Sequence, residues 1–430
     1  MKIYKISEAS AYPMKHIHLK TKIPNKNDVQ FYKKFGKYEA QAMHGQLPIV
    51  WNNAIGCHVY DRWGNMFLDF SSGIAVTNIG HGSENICEEI KIMIATPLLH
   101  TYTFPSVIRY EYLKELVEYV YPSGKAFLVS AGTEATEAAV KLMKMHGRKQ
   151  SAEKRMIYSF QGAMHGRTIL AEQLKCNTGT YWYNYNYDIY NMNFPKTEEL
   201  FKPVHDPKYI AGFIIESYQG WSARFYPKKF IQSLVQFATK HCIPVCFDEI
   251  QGGFWRTGKM FAYEWYDVPK PDLLCLGKGI SSSVPLSAVV GKPYLMDGPE
   301  IGAMSSTHSA NPISCAAGLG CIKELKRLVP EEVKQKGDML FNDLVKALVF
   351  PKQHKHVTEV NGNGLLIGVV TDTDEYATMV VKECFKRGLI LIWTHRNSIK
   401  LAPPLTISVS ALIEGLKVFK QVLRYTEDKI

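Results

Sequence analysis

Nowhere in these 430 residues is there an unbroken apolar run of the roughly 18–20 residues that a bilayer-spanning helix needs, so no membrane segment is expected. Cysteine is scarce and odd in number: nine, with no C-x-x-C pair. That argues against a disulfide framework and for a reducing, cytoplasmic setting. Arginine is missing before Arg62, so an Arg-rich transit peptide is not expected, and the opening MKIYKISEASAYP lacks the apolar core of a secretion leader. No repeat in the solenoid range is visible. The one compositionally biased tract is YWYNYNYDIYN at 181–191.

What is present is globular composition, 46% hydrophobic and 21% charged, in a chain long enough for two or three domains and a large core. The net charge of +11 is uneven, because residues 1–40 carry nine lysines against three acids. This reads as a solvated lysine-rich arm. A nucleic-acid arm would bring arginine, or a zinc-finger or helix-turn-helix pattern, and none is there, so no nucleic-acid partner is expected.

From about 125 to 320, short apolar runs alternate with segments of helical period, the rhythm of a mostly parallel α/β sheet. Strands are expected at 125–130, 210–215, 243–247, 273–276 and 287–290. Phe230, Ile231, Leu234, Val235 and Ala238 share one helical face, as a crossover helix requires. Beyond about 330 the pattern reads as a helix at 331–348, strands near 365–370 and 390–402, and a helix at 408–425, a smaller α+β domain. The best cut lies at 325–330, before Pro330.

Three of the apolar runs end on charge: Phe213-Ile-Ile at Glu216, Val245-Cys-Phe at Asp248, Leu274-Cys-Leu-Gly at Lys278. An unpaired buried charge is costly, and parallel sheets bind ligands beyond their carboxyl ends. A carboxylate and an ammonium are therefore expected in one crevice. Pyridoxal phosphate needs a lysine for its aldehyde and a carboxylate for its ring nitrogen. It also needs a helix N-terminus for its phosphate, such as the one opening at Gly132-Thr133. Other motifs are weaker. Gly253–Lys259 fits G-x-x-x-x-G-K, but Met260 occupies the Ser/Thr position and the stretch does not run from strand to helix. Gly362-Asn-Gly364 with Gly368 misses the dinucleotide spacing by one residue. His16/His18 and His354/His356 read as surface histidines rather than a metal site.

Taken together, Cys246-Phe-Asp-Glu-Ile-Gln-Gly-Gly-Phe-Trp-Arg-Thr-Gly-Lys259 and Pro271-Asp-Leu-Leu-Cys-Leu-Gly-Lys-Gly-Ile280 resemble the signature of class III aminotransferases. Asp69–Gly73, Asn78–His81, Ala131–Ala135, Phe160–Thr168, Gln219-Gly220, Thr307 with Asn311-Pro312, and Pro403–Leu405 follow in order, so the resemblance spans about 45–425. It implies fold type I, a large pyridoxal-phosphate domain with a mostly parallel sheet at 76–327. The smaller domain would come from the chain ends, 1–75 and 328–430. It implies a homodimer with shared sites and small-molecule amine and carbonyl partners. Lys278 would be the Schiff-base lysine and proton carrier, its amine pKa lowered by desolvation. Asp248 would keep the pyridine nitrogen protonated, and Gln251 would contact the 3-oxygen. Gly132 and Thr133 would hold the phosphate, Thr307 would reach a neighbouring protomer's phosphate, and His165 would flank the ring near Glu216.

The departures from that pattern bear on substrate. Ala131 stands where a serine is usual, and Met164 where an aromatic ring stacks on the cofactor. A thioether still packs on an aromatic face. Trp221 replaces a gateway glutamate, and Lys400 replaces the arginine that binds an α-carboxylate, without its bidentate fork. Gln219-Gly-Trp221 with Phe225-Tyr-Pro227 is similar to the branch that aminates sugars and aminoglycoside precursors. Trp221 and the tyrosines of 181–190 offer flat faces for a sugar ring. An amino-sugar transaminase is the resulting expectation. The alternatives are an ornithine- or 4-aminobutyrate-type transaminase, or an aminomutase or racemase.

Overall fold

The computed structural model describes residues 14–43, 45–175, 188–195, 199–328, 330–348 and 354–429. These residues form two compact units. The larger holds Val76–Ile79 and Ser83–Glu332; the smaller holds the described residues up to Ala75, Gly80–Gly82 and those from Val333 on.

Strands covered on both faces read as continuous apolar runs, and the larger unit is built on such runs. Its sheet has seven strands: β1 Lys125–Val129, β2 Met156–Phe160, β3 Ile189–Met192, β4 Ile210–Glu216, β5 Val245–Asp248, β6 Leu273–Leu276 and β7 Ser287–Gly291. The order is β1-β7-β6-β5-β4-β2-β3. Every residue of β4, β5, β6 and β7 is buried. Strands β6, β5, β4, β2 and β3 pair in parallel, whereas β7 is antiparallel to both β6 and β1. Sequence alone placed β7 in the sheet without its direction. It missed β2, and it left β3 inside the tyrosine-rich tract.

Helices cover the sheet. Helix α1, Gly132–Gln150, follows β1, and α2 is Ile169–Gln173. Helix α3, Lys228–Lys240, buries all five residues of its expected apolar face. Helix α4 is Pro312–Arg327. Leu234 is fully buried on α3 within the core that also holds Phe213 and Phe247. Leu234→Ala is expected to cost about 2–5 kcal/mol by leaving a cavity, measured as a fall in urea midpoint at unchanged slope.

The smaller unit carries two four-stranded sheets. One joins Trp51–Ile55, His58–Asp61 and Met66–Asp69 to Leu389–Ile390; the other joins Val357–Asn363, Leu366–Thr371, Ser398–Leu401 and Ile392–Trp393. Pro330–Leu348 and Val409–Thr426 are helices, as the periodicity indicates, and Asp374–Lys386 adds one not foreseen. His354 corrects the surface reading: it is buried, with Nδ1 2.7 Å from Glu427 Oε2. Among the described residues no helix is long and apolar enough to cross a membrane.

Candidate active site

The sheet register itself brings the charged strand ends together. Asp248 and Glu216 are the last residues of β5 and β4 and are register partners. Paired strands lie about 4.8 Å apart, so two carboxylates meet at the carboxyl edge. Asp248 is also in register with Cys275 on β6. Three residues on, Lys278 opens a short 3-10 turn with φ 45°, in the left-handed region. A side chain at positive φ carries strain of order 1–3 kcal/mol, and such strain clusters at functional sites.

Each carboxylate is then fixed by backbone and side-chain donors. Asp248 Oδ1 accepts the Ile250 N–H at 3.0 Å, and Oδ2 lies 2.8 Å from His165 Nδ1. His165 is oriented in turn, since Thr136 Oγ1 donates to its carbonyl at 2.7 Å. Glu216 Oε2 accepts the Met164 N–H at 2.7 Å, and Oε1 accepts the Gly220 N–H at 3.2 Å. Gly220 lets this amide approach closely, since a Cβ there would sit 2.6 Å from Gln251 Oε1 and displace that side chain. Gln251, Glu216, Gly220, Met164, His165 and Asp248 thus form one connected group.

Burial sets its electrostatics. Desolvation lowers the Lys278 amine pKa, while the charges of Asp248 and Glu216 pull it back up. Desolvation raises the Glu216 pKa; His165 and the two backbone donors oppose that rise, and the Asp248 charge adds to it. Glu249, next to Asp248, goes elsewhere. Its carboxylate accepts from Ser217 Oγ and from the Ala262 and Tyr263 N–H groups at 2.9 and 2.8 Å, and burial pushes its pKa up to about 8. It ties the loop after β5 to Ala262 and Tyr263. Sequence reasoning missed this role.

The residues expected at the phosphate lie at the start of α1. Gly132 is its first residue, with Ile250 Cδ1 3.0 Å from where a Cβ would stand. Thr133 Oγ1 contacts Thr168 Oγ1 at 2.5 Å. Ala131 is exposed and caps nothing; instead the Glu134 carboxylate accepts the Ser130 and Ala131 N–H groups at 2.8 and 2.9 Å. Glu134 supplies the N3 half of a capping box, whose other half Ala131 has no hydroxyl to make. Thr307 is exposed. Trp221 follows Gly220 directly. Lys400 is buried on Ser398–Leu401 of the smaller unit. Among the described residues no group of three or more His, Cys, Asp or Glu is placed to hold a metal ion.

A model of the aminotransferase class-III family matches residues 40–423. The chain belongs to the class III aminotransferase family. It is 31% identical to an acetylornithine aminotransferase of Methanocaldococcus jannaschii, over 90% of this chain and 97% of that protein. It is 30% identical to ornithine aminotransferase 1 of Staphylococcus aureus, over 90% and 98%. Its fold matches the crystal structure of the ornithine aminotransferase of Toxoplasma gondii with a TM-score of 0.85, at 23% identity over 95% and 97% of the two chains. This aminotransferase therefore has the fold-type-I architecture, and pyridoxal 5'-phosphate is its cofactor.

The residues present suit that group. Asp248 accepts two hydrogen bonds with lone pairs to spare. The Nε2 of His165 is buried without a hydrogen-bond partner. The first N–H groups of α1, at Gly132 and Thr133, have no intrahelical acceptor.

Proposed function

We propose that this aminotransferase moves an amino group from an amino-acid donor to an aldehyde or ketone acceptor, with Lys278 as the proton carrier and Asp248 as the anchor of the cofactor's ring nitrogen. The observation that carries the assignment is the register pairing of Asp248 with Glu216, with Lys278 at the end of the next strand. When bound, pyridoxal phosphate supplies an electron sink. The residues do the rest. Asp248 would set a negative charge against the ring nitrogen, and His165 holds that carboxylate in place. Gln251 would contact the 3-oxygen, and Gly132 and Thr133 would hold the phosphate. Met164, fixed through its own N–H by Glu216, would pack on the ring. Lys278 sheds its proton readily because the fold desolvates its amine.

The donor class proposed is ornithine-type, including acylated and ω-amino acids, as the names of the relatives suggest. The amino-sugar expectation loses its support. Neither relative described above is named for an amino sugar. Tyr190 packs against Tyr158 and His205, with ring centroids 4.8 Å away in each case, and Tyr181–Tyr187 lie outside the described residues. Phe225 packs on Tyr218 at 5.1 Å. Lys400 remains a proposed carboxylate ligand. The test is a half-reaction: holoenzyme with one amine and no co-substrate should release stoichiometric keto product. Rearranged or racemised amine without keto product would favour an aminomutase or racemase and overturn the reading.

The working form proposed is a homodimer, with Thr307 serving the neighbouring protomer's phosphate. Phe104, Val107 and Tyr110 are each more than 60% exposed, and Ile92, Ile94 and Leu99 more than 50%. Exposed apolar side chains of this kind support an interface. Phe104→Asp is expected to shift the protein toward monomer in sedimentation velocity; a wild type that is already monomeric would contradict the proposal. Eight cysteines of the described residues are free thiols, in keeping with a reducing compartment such as the cytoplasm.

A further inference from the structure

Lys278 is not alone in its backbone strain. Phe254 and Trp255, in the loop after β5, and Ser282, just past Lys278, also take positive φ, at 56°, 66° and 56°. Conformations of this kind persist only where their surroundings over-determine them. These strained places converge on one short segment of the larger unit, Val76–Ile79. Asn78 is 1% exposed. Its Nδ2 donates to the Gly253 and Phe254 carbonyls at 3.3 and 3.1 Å, and its Oδ1 accepts from Arg256 Nη2 at 2.8 Å and Nε at 3.3 Å. The same Nδ2 bears on Gly279, the residue after Lys278, where a Cβ would stand 2.5 Å from it. One residue on, the Ile79 N–H donates to Ser282 Oγ at 3.1 Å, and the Ser282 N–H donates to the Lys278 carbonyl at 3.1 Å.

The chemistry of its partners fixes which way the Asn78 amide points. A guanidinium only donates, so Oδ1 faces Arg256. The NH2 is thereby turned toward two carbonyls, which only accept. Neither an apolar side chain nor a carboxylate meets both demands. We propose that Asn78 is a positioning residue for the reaction: by tying the Gly253–Phe254 backbone to the turn that begins at Lys278, it keeps the Lys278 amine where it can carry the proton. This deepens the transaminase reading and rests on it. Released from Asn78, the turn relaxes and water reaches the amine. Misplacing a reacting group by about 1 Å costs on the order of 10²-fold in rate.

Two variants test this from opposite sides. Asn78→Ala removes the amide. Gly279→Ala keeps it but sets a methyl group against Nδ2, which the two carbonyls hold in place. The first readout, in the full-length apoprotein, is the pH midpoint of Lys278 modification by an amine-reactive reagent, followed by peptide mass mapping. Desolvation is the largest influence on that amine and lowers its pKa, so admitted water should move the midpoint up toward 10.5, by roughly half a pH unit or more. The second readout, in the holoenzyme, is the second-order rate of the half-reaction with ornithine, which should fall by about 10- to 100-fold. Leu234→Ala controls for lost stability alone and should leave the midpoint at its wild-type value. If Asn78→Ala fails to give a native circular dichroism spectrum, Gly279→Ala carries the test. An unmoved midpoint in the folded variants would overturn the proposal. So would a moved midpoint with an unchanged half-reaction rate, or a Leu234→Ala midpoint that moves as far. Absence of any absorbance change when wild-type holoenzyme meets ornithine, or a panel of other amines, would instead sink the transaminase reading and with it the role in the reaction. The apoprotein midpoint would then still report whether Asn78 holds Lys278.

Discussion

Lys278→Ala is expected to abolish amino transfer while leaving the fold at least as stable as before. The loss follows from removing the proposed proton carrier, worth roughly 10²–10⁴-fold by itself, with the proposed covalent attachment of the cofactor lost as well. The stability half of the expectation follows from the sign of the pKa shift. Desolvation lowers the amine pKa in the fold below its ordinary 10.5. An amine that binds its proton less well folded than unfolded opposes folding wherever the unfolded amine is charged, which includes neutral pH. Deleting it removes that cost. Alanine retains the Cβ that occupies φ 45°, so the backbone strain is unchanged. Thermal melting of the apoprotein and turnover of the holoenzyme measure the two halves separately. A variant that turned over near the wild-type rate would remove Lys278 from its role.

Asp248→Asn is the second large effect. The substitution keeps size but turns one acceptor oxygen into a donor and deletes the charge proposed to oppose a protonated ring nitrogen. Fixed charges aimed at a reacting group are typically worth about 10²–10³-fold when one is lost, and turnover should fall by that order. There is also a readout that needs no cofactor. The Asp248 charge raises the Lys278 pKa against desolvation, so in the apoprotein Asp248→Asn should lower that pKa further. Selective amine modification of Lys278, followed against pH, should then reach its midpoint at lower pH in the variant. An unchanged midpoint would mean that the two groups do not share one site.

Why so much of this was readable follows from particular residues. Glu216, Asp248 and Lys278 each end an apolar run, and a sheet that hides both faces leaves charge only at its edges. The spacing of Phe230, Ile231, Leu234, Val235 and Ala238 fixed the buried face of α3. Asp374–Lys386 carries the same i, i+1, i+4, i+5, i+8 spacing, in Tyr376, Ala377, Val380, Val381 and Cys384, with Phe385 at i+9, all buried. That helix is legible in the sequence by the same periodicity. Direction was not readable. Ser287–Gly291 is as apolar as its parallel neighbours, and composition does not report strand polarity. Nor was Ile189–Met192, an edge strand with one neighbour and therefore little need for an apolar run. Partners far apart in sequence stayed hidden as well. Nothing local pairs His165 with Asp248, 83 residues away, or sets Lys175 under Trp221.

The central assignment is that one lysine holds the cofactor. Borohydride treatment of the holoenzyme, followed by digestion and peptide mass mapping, tests it most directly. The expected result is the reduced cofactor's added mass on the peptide containing Lys278 and on no other. The same mass on a peptide carrying a different lysine, or on none, would contradict it.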